Sequence, residues 1–163
     1  KNINNYIAIF ILILISRIVP HPPNFTPIIA LSFYVPAILG IKFLFFFALS
    51  YVFIDIFFGL HDASFFAWGS IILISLISKF WKTSFRARAI GVVLGSIIFF
   101  AITNFGVWTS GYYGYTFNGL IACYVAAIPF FNNTLMATII YAFIIELILK
   151  LFFPNYEKIN DKI

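Results

Sequence analysis

Residues 41–60 read IKFLFFFALSYVFIDIFFGL, and this stretch decides the fold. Its apolar side chains run on without the alternation of a membrane β-strand, and Lys42 and Asp55 are its only charged residues. About 20 consecutive, predominantly apolar residues are what an α-helix needs to cross the hydrocarbon core of a bilayer. The stretch therefore predicts a transmembrane helix.

The composition extends this interpretation to the whole chain. Of its 163 residues, 63% are hydrophobic and 9% are charged, and its mean hydropathy is +1.07. A soluble domain carries about a quarter charged residues. Since this chain has too little polar surface to face water on all sides, we predict an all-α membrane protein whose surroundings are the lipid bilayer. Its length accommodates a bundle of about six transmembrane helices.

The apolar runs and the proline, glycine and polar breaks between them divide the chain. We expect spans that cover residues 6–19, 26–39, 41–60, 63–81, 89–107 and 133–153. The apolar piece Leu120–Ile128 is too short to span and precedes the break Pro129-Phe130-Phe131-Asn132-Asn133-Thr134, so we expect a half-helix or re-entrant segment there. Residues 1–153 would form a single transmembrane domain and residues 154–163 a polar cytoplasmic tail.

The start of the chain carries two further expectations. The first residue is Lys1 rather than Met, so we expect a few residues to precede it. The first apolar run is followed by Arg17 and a proline-rich loop rather than by a small-residue cleavage site, so we expect a retained helix.

The basic residues predict an orientation. With six spans and both termini cytoplasmic, Arg17 alone of the ten basic residues falls outside. The other nine fall inside, namely Lys1, Lys42, Lys79, Lys82, Arg86, Arg88, Lys150, Lys158 and Lys162. This is the positive-inside pattern of a multi-pass protein in the bacterial cytoplasmic (inner) membrane. The formal net charge of +5 therefore indicates topology rather than a nucleic-acid partner.

The unusual side chains collect at the predicted outer face. They come from three different loops and the adjoining helix ends, and they combine imidazole, amide, carboxylate and aromatic groups. We predict a small-molecule site there, open to the outside, in which aromatic rings stack on a ring-bearing ligand and the Tyr112–Tyr115 loop forms a lid. The candidate ligand-binding residues are His21, Asn24, Phe25, Asp55, His61, Asn104, Trp108, Tyr112, Tyr115 and Asn132.

Several of these residues also have structural explanations. Asp55 either contacts a ligand or forms an ion pair with Arg17 that fixes two helices together. His61 and Asp62 form either a proton relay or metal-binding corner, or a helix start capped by Asp62.

Two positions outside the candidate list carry similar questions. Glu146 and Lys150 are spaced as an i, i+4 ion pair in the last helix. Cys123, the only cysteine, is either a nucleophile or a small buried apolar residue.

Enzyme chemistry has little support in the sequence. The chain has no glycine-rich phosphate loop, no His-Glu-x-x-His zinc motif and no Gly-x-Ser-x-Gly elbow, so we predict no catalytic residue, cofactor or metal site. One alternative is an intramembrane enzyme that uses Cys123, His61 and Asp62, which must then lie within hydrogen-bond reach of one another. A second alternative is a structural assembly factor, which needs no enclosed pocket.

Four segments together resemble a known group of proteins: HPPNFTPI (21–28), DIFFGLH (55–61), FFAITNFGVW (99–108) and CYVAAIPFFNNT (123–134). The chain is similar, over nearly its whole length, to an uncharacterised family of small bacterial membrane proteins. That family is often grouped with the S components of energy-coupling-factor (ECF) vitamin transporters. The resemblance implies a six-helix substrate-binding subunit for uptake of a vitamin or similar small molecule near the outer face.

The same resemblance implies partners. S components dock on a coupling transmembrane subunit with a pair of ATPases, partly through small residues of the first helix, for which this chain offers Ala8 and Ser16. Some solitary relatives handle cobalamin, and His21, His61 or Cys123 would then supply a cobalt ligand.

Overall fold

The computed structural model describes residues 2–80 and 84–152, and there the chain is helical apart from its connections. Six helices occur in this part of the chain: α1 Asn2–Ile18, α2 Ile28–Leu39, α3 Ile41–Phe58, α4 Ser64–Lys79, α5 Phe85–Thr109 and α6 Phe117–Phe152. The prediction of an all-α fold is confirmed for the described residues. The predicted polar tail, 154–163, lies outside them.

The prediction of a separate half-helix before the last span is wrong. Residues 120–128 belong to α6, which continues through Pro129 and the Asn132-Asn133-Thr134 segment to Phe152. Two of the polar side chains in this segment have partners: Asn133 Nδ2 donates to the Pro23 carbonyl oxygen at 3.1 Å, and Thr134 Oγ1 donates to the Phe130 carbonyl oxygen at 2.9 Å.

Helix α2 lies at the centre of the bundle. Its residues Ile28 to Pro36 are buried without interruption, and it packs against α3, α4, α5 and α6. A helix that is apolar on every side belongs in a core. The first helix packs against α3.

The proline inside α2 explains a contact between α2 and α4. Pro36 has no N–H group, so the carbonyl oxygen of Ser32, four residues earlier, loses its usual intrahelical donor. Ser75 of α4 supplies the replacement, because its hydroxyl donates to the Ser32 carbonyl oxygen at 2.7 Å. Both serines are almost fully buried. The α2–α4 packing therefore satisfies a backbone group that the α2 sequence leaves open.

A buried ion pair joins α5 and α6, and it corrects the expected pairing of Glu146 with Lys150. Arg88 donates through Nε and Nη2 to the two Glu146 carboxylate oxygens at 2.6 and 2.8 Å, and Tyr34 of α2 donates to the same carboxylate at 2.6 Å. The Arg88 side chain is 4% exposed. Glu146 pairs with Arg88 rather than with Lys150, four residues further along the helix, because Glu146 faces the bundle interior.

Three of the six described helices, α3, α5 and α6, are long and apolar enough to cross a membrane, judged by length and composition. Helices α1, α2 and α4 are apolar but shorter. The 12 residues of α2 extend about 18 Å, less than the hydrocarbon thickness of about 30 Å. Large apolar side chains such as Phe45, Phe57 and Phe143 lie exposed on the outside of the bundle, as lipid contact requires.

Candidate functional site

A cavity of about 380 Å³ lies at the end of the bundle where three connections meet. Its lining includes His21, Asn24 and Thr26 from the α1–α2 loop, His61 from the α3–α4 connection, and Tyr113 from the α5–α6 connection. This is the end that the charge distribution assigns to the outside. The volume is within the usual range for a small-molecule site.

The α1–α2 loop is held by its own polar groups. The two ring nitrogens of His21 lie 2.8 Å from the Pro22 carbonyl oxygen and 3.0 Å from the Ser16 carbonyl oxygen. Asn24 has a φ of 62°, a left-handed conformation that asparagine tolerates better than most residues. Since Asn133 of α6 also donates to Pro23, the loop is fixed both to α1 and to α6.

The α3–α4 connection presents His61 to the cavity. Its backbone N–H donates to the Ser64 hydroxyl at 2.9 Å. Helix α4 begins after Ala63 without a side-chain cap, so the predicted capping by Asp62 is wrong. Partial removal from water lowers the pKa of His61, and the positive charge of Arg17 lowers it further, against the opposing effect of Asp62.

Asp55 forms an ion pair with Arg17, which is one of the two interpretations that the sequence allows for this residue. The Arg17 guanidinium donates through Nη2 to one carboxylate oxygen, and Trp68 Nε1 donates to the other at 2.8 Å. Asp55 is only 2% exposed and does not line the cavity, whereas Arg17 does. The positively charged Arg17 is therefore the member of this pair that faces the cavity.

Helices α5 and α6 form an aromatic wall. The rings of Phe100 and Phe131 lie 4.7 Å apart, and Phe99 and Phe130 line the cavity beside them. Asn104 also lines the cavity, one turn from Phe100, and its amide donates to the Phe100 carbonyl oxygen at 2.8 Å.

Cys123 faces the same cavity from α6. Its thiol donates to the Asn104 carbonyl oxygen at 3.4 Å. The side chain is almost completely buried.

Trp108, Tyr112 and Tyr115 do not line the cavity. Trp108 Nε1 donates to the Gly114 carbonyl oxygen at 3.0 Å, and its ring contacts Tyr115 edge to face. Tyr112 is 86% exposed and Tyr115 71% exposed. Tyr113 is the tyrosine of this connection that faces the cavity, in the position expected of a lid. Trp108 and Tyr115 instead hold the connection in place through their contact with each other and with Gly114.

A glycine of α6 permits this arrangement of the connection. Gly119 lies directly against the backbone carbonyl oxygens of Tyr113 and Gly114, and a Cβ atom there would overlap the Tyr113 oxygen. Its N–H donates to the Thr116 hydroxyl at 3.0 Å, which caps the start of the helix.

Phe25 and Asn132, the remaining candidates, also lie away from the cavity. The Phe25 ring packs at 6.3 Å from the ring of Tyr141 on α6, and Asn132 is exposed. Four of the ten candidates, His21, Asn24, His61 and Asn104, therefore meet at one cavity.

Sequence reasoning did not select Arg17 or the phenylalanines of the wall as cavity residues, and it included Tyr113 only as part of the Tyr112–Tyr115 lid. The spacing of Phe100 four residues before Asn104 was an available signal for the wall, because the two share a helix face. No comparable signal distinguishes Tyr113 from its neighbouring tyrosines.

These features define a class: a helical protein that has three helices long and apolar enough to cross a membrane and a polar and aromatic cavity at one end of its bundle. The described residues contain no group of three or more His, Cys, Asp or Glu side chains that could hold a metal ion. The chain belongs to a family of unknown function, DUF6580, which matches residues 1–159. No curated protein and no solved structure matches the chain.

Proposed function

We propose that this chain is a substrate-binding integral membrane subunit, similar to an ECF S component, that captures a small ring-bearing molecule for uptake. In this proposal all six helices span the bacterial cytoplasmic membrane with both termini in the cytoplasm. The vitamin-like character of the ligand comes from the sequence resemblance alone.

The observation that carries the proposal is the cavity. It combines an aromatic wall, suited to stacking on a ring, with the Asn104 amide and the His61 imidazole, suited to fixing its orientation. An assembly factor has no need of such a cavity. A volume of about 380 Å³ is small for a cobalamin, so we propose a smaller ligand.

A coupling subunit with ATPases is the partner that this function requires, because the sequence has no ATPase motif of its own. Of the two small residues on α1, Ala8 is exposed and Ser16 is buried, with its hydroxyl donating to the Ile13 carbonyl oxygen at 2.6 Å. A docking surface on α1 would therefore use Ala8 and the larger apolar side chains around it.

The test combines ligand retention with uptake. Native mass spectrometry of the purified protein, incubated with a vitamin panel, is expected to show one retained small molecule. Asn104→Ala should lower both the retention and the cellular uptake of that molecule about tenfold or more. Asn132→Ala removes the same amide from an exposed position outside the cavity lining and should leave both unchanged. Equal behaviour of the two variants, or no retained molecule, would contradict the proposal.

The intramembrane enzyme is less well supported by the geometry. It requires Cys123, His61 and Asp62 within hydrogen-bond reach of one another. The thiol of Cys123 instead donates to the Asn104 backbone, and Asp62 does not line the cavity that Cys123 and His61 share.

A further inference from the structure

Arg17 is fixed in place before any ligand arrives. Its Nη2 atom donates to Asp55 and, at 3.4 Å, to the Tyr51 hydroxyl, and the Tyr51 ring lies 5.3 Å from the guanidinium carbon. These contacts hold the guanidinium at the cavity in one orientation. A preorganised donor binds an acceptor without the cost of first ordering a long side chain.

The rest of this guanidinium has unused donors. A guanidinium carries five N–H groups. Its Nε and Nη1 atoms donate to no other residue in the described part of the chain, and Nε is buried. The Arg17 side chain is 27% exposed and lines the cavity. A ligand oxygen that reaches Nη1 would find an unpartnered charged donor.

The carboxylate that balances Arg17 is directed away from the cavity. Both oxygens of Asp55 are occupied, one by Arg17 and one by Trp68, and the residue is buried behind the cavity lining. The ion pair therefore presents its positive end to the cavity. Among the described lining residues Arg17 is the one with a permanent charge, so no carboxylate in the lining cancels its field.

We infer that the cavity selects a molecule with an anionic oxygen group, most simply a ring carboxylate, and places that group against Arg17. The ring then lies against the aromatic wall formed by Phe99, Phe100, Phe130 and Phe131. This inference rests on the proposed function, since it specifies the chemical class of the ligand at the same site. The lowered pKa of His61 agrees with it: partial removal from water lowers this pKa most, and the positive charge of Arg17 lowers it further, against the opposing effect of Asp62.

Cys123 provides the test, because it is the only cysteine of the chain and it lines the cavity. The probes are two methanethiosulfonate reagents of similar size, the anionic sulfonatoethyl and the cationic trimethylammonioethyl compound. Each transfers its thioalkyl group to the thiolate and releases methanesulfinate. The reaction rate of each reagent at Cys123 is divided by its rate with free 2-mercaptoethanol. The charge-selectivity ratio is this normalised rate for the anionic reagent divided by that for the cationic reagent. We expect a ratio well above one in the unmodified protein.

The variants separate the charge of Arg17 from its structural role. Arg17→Gln combined with Asp55→Asn removes both charges without leaving a buried carboxylate unpaired, and should lower the ratio about tenfold. Arg17→Lys keeps the charge and should keep most of the selectivity. Arg86→Gln removes an exposed charge at the opposite end of the bundle and should change nothing. A ratio of one or less in the unmodified protein, or no change in the double variant, would overturn the inference.

The outcomes for the two proposals are distinguishable. Charge selectivity without any retained molecule would contradict the proposed function and leave the anion preference standing. A retained molecule without charge selectivity would support the proposed function and contradict the anion preference. An uncharged reagent, methyl methanethiosulfonate, tests access both at Cys123 and at a Thr26→Cys thiol in a Cys123→Ser background. If Cys123, which is almost completely buried, does not react, the charge-selectivity ratio is measured at the Thr26→Cys thiol with the same criteria. If neither thiol reacts, the cavity is closed to solutes and both proposals fail.

Discussion

Glu146 accepts hydrogen bonds from side chains on two other helices, Arg88 of α5 and Tyr34 of α2. A buried carboxylate and guanidinium stabilise a fold only when both are present, because loss of one leaves the other charge uncompensated. The contribution of this cluster therefore depends on the intact pair.

We predict that Glu146→Gln lowers the free energy of unfolding by about 3 kcal/mol. Removing both charges, with Arg88→Gln and Glu146→Gln together, should cost less than the single change. The measurement is unfolding by sodium dodecyl sulfate in mixed micelles. A single variant as stable as the unmodified protein would show that the pair contributes nothing to the packing of α5 on α6.

His61 predicts a pH dependence. Its pKa is lowered in the folded protein, so between the ordinary value of 6.5 and the lower folded value the unfolded chain binds more protons. Stability from this group is fully present above pH 6.5 and is lost as the pH falls below it. His61→Gln should remove this part of the pH dependence of unfolding. An identical slope in the unmodified protein and the His61→Gln variant would contradict the prediction.

At the scale of the elements, two helices contain a proline in their interior. In α2 the carbonyl oxygen opposite Pro36 receives a donor from α4. Helix α6 runs through Pro129 as one continuous helix. At 36 residues α6 is about 54 Å long, well beyond the thickness of a hydrocarbon core. A membrane span formed by α6 would therefore reach into the headgroup region or beyond, or be tilted.

We predict that Ser75→Ala lowers the free energy of unfolding by about 1–2 kcal/mol, because it leaves the buried Ser32 carbonyl oxygen without a donor. Ser78→Ala is the matched control: its hydroxyl donates at 2.8 Å to a carbonyl within its own helix, so its removal should cost less. Mixed-micelle unfolding measures both. Equal losses would mean that the inter-helix bond has no special importance.

The sequence was sufficient for five of the helices but not for α6. Gly40, with a φ of 96°, separates α2 from α3 where the break was predicted. The segment Pro129-Phe130-Phe131-Asn132-Asn133-Thr134 has the composition of a break as well, yet α6 continues through it. Within this segment Asn133 contacts Pro23, 110 residues away in the chain, and no local pattern contains such a contact.

The same limit applies to the site. The chain pattern predicts which end of the bundle holds the polar residues, and His21, Asn24, His61 and Asn104 do meet there. It does not predict which side of a helix faces inward, because these helices are apolar all round. Trp108 lies one turn from Asn104 yet contacts the α5–α6 connection instead of the cavity.

At the scale of the whole molecule, the charge distribution predicts a six-span topology that labelling can test. In a Cys123→Ser background, cysteines at the exposed positions Asp62 and Tyr112 should react with a membrane-impermeant maleimide in intact cells. Cysteines at the exposed positions Lys42 and Arg86 should react only after the cells are opened. Labelling of Lys42→Cys or Arg86→Cys from outside would rule out this orientation.

The two ion pairs have a consequence for biosynthesis. Arg17 precedes Asp55 by 38 residues, and Arg88 precedes Glu146 by 58. Because a ribosome makes the chain from its N-terminus, each guanidinium is already present when its carboxylate leaves the ribosome. In this chain each acidic helix therefore emerges after the helix that carries its cation, so a partner for each carboxylate is already made when that carboxylate has to leave water.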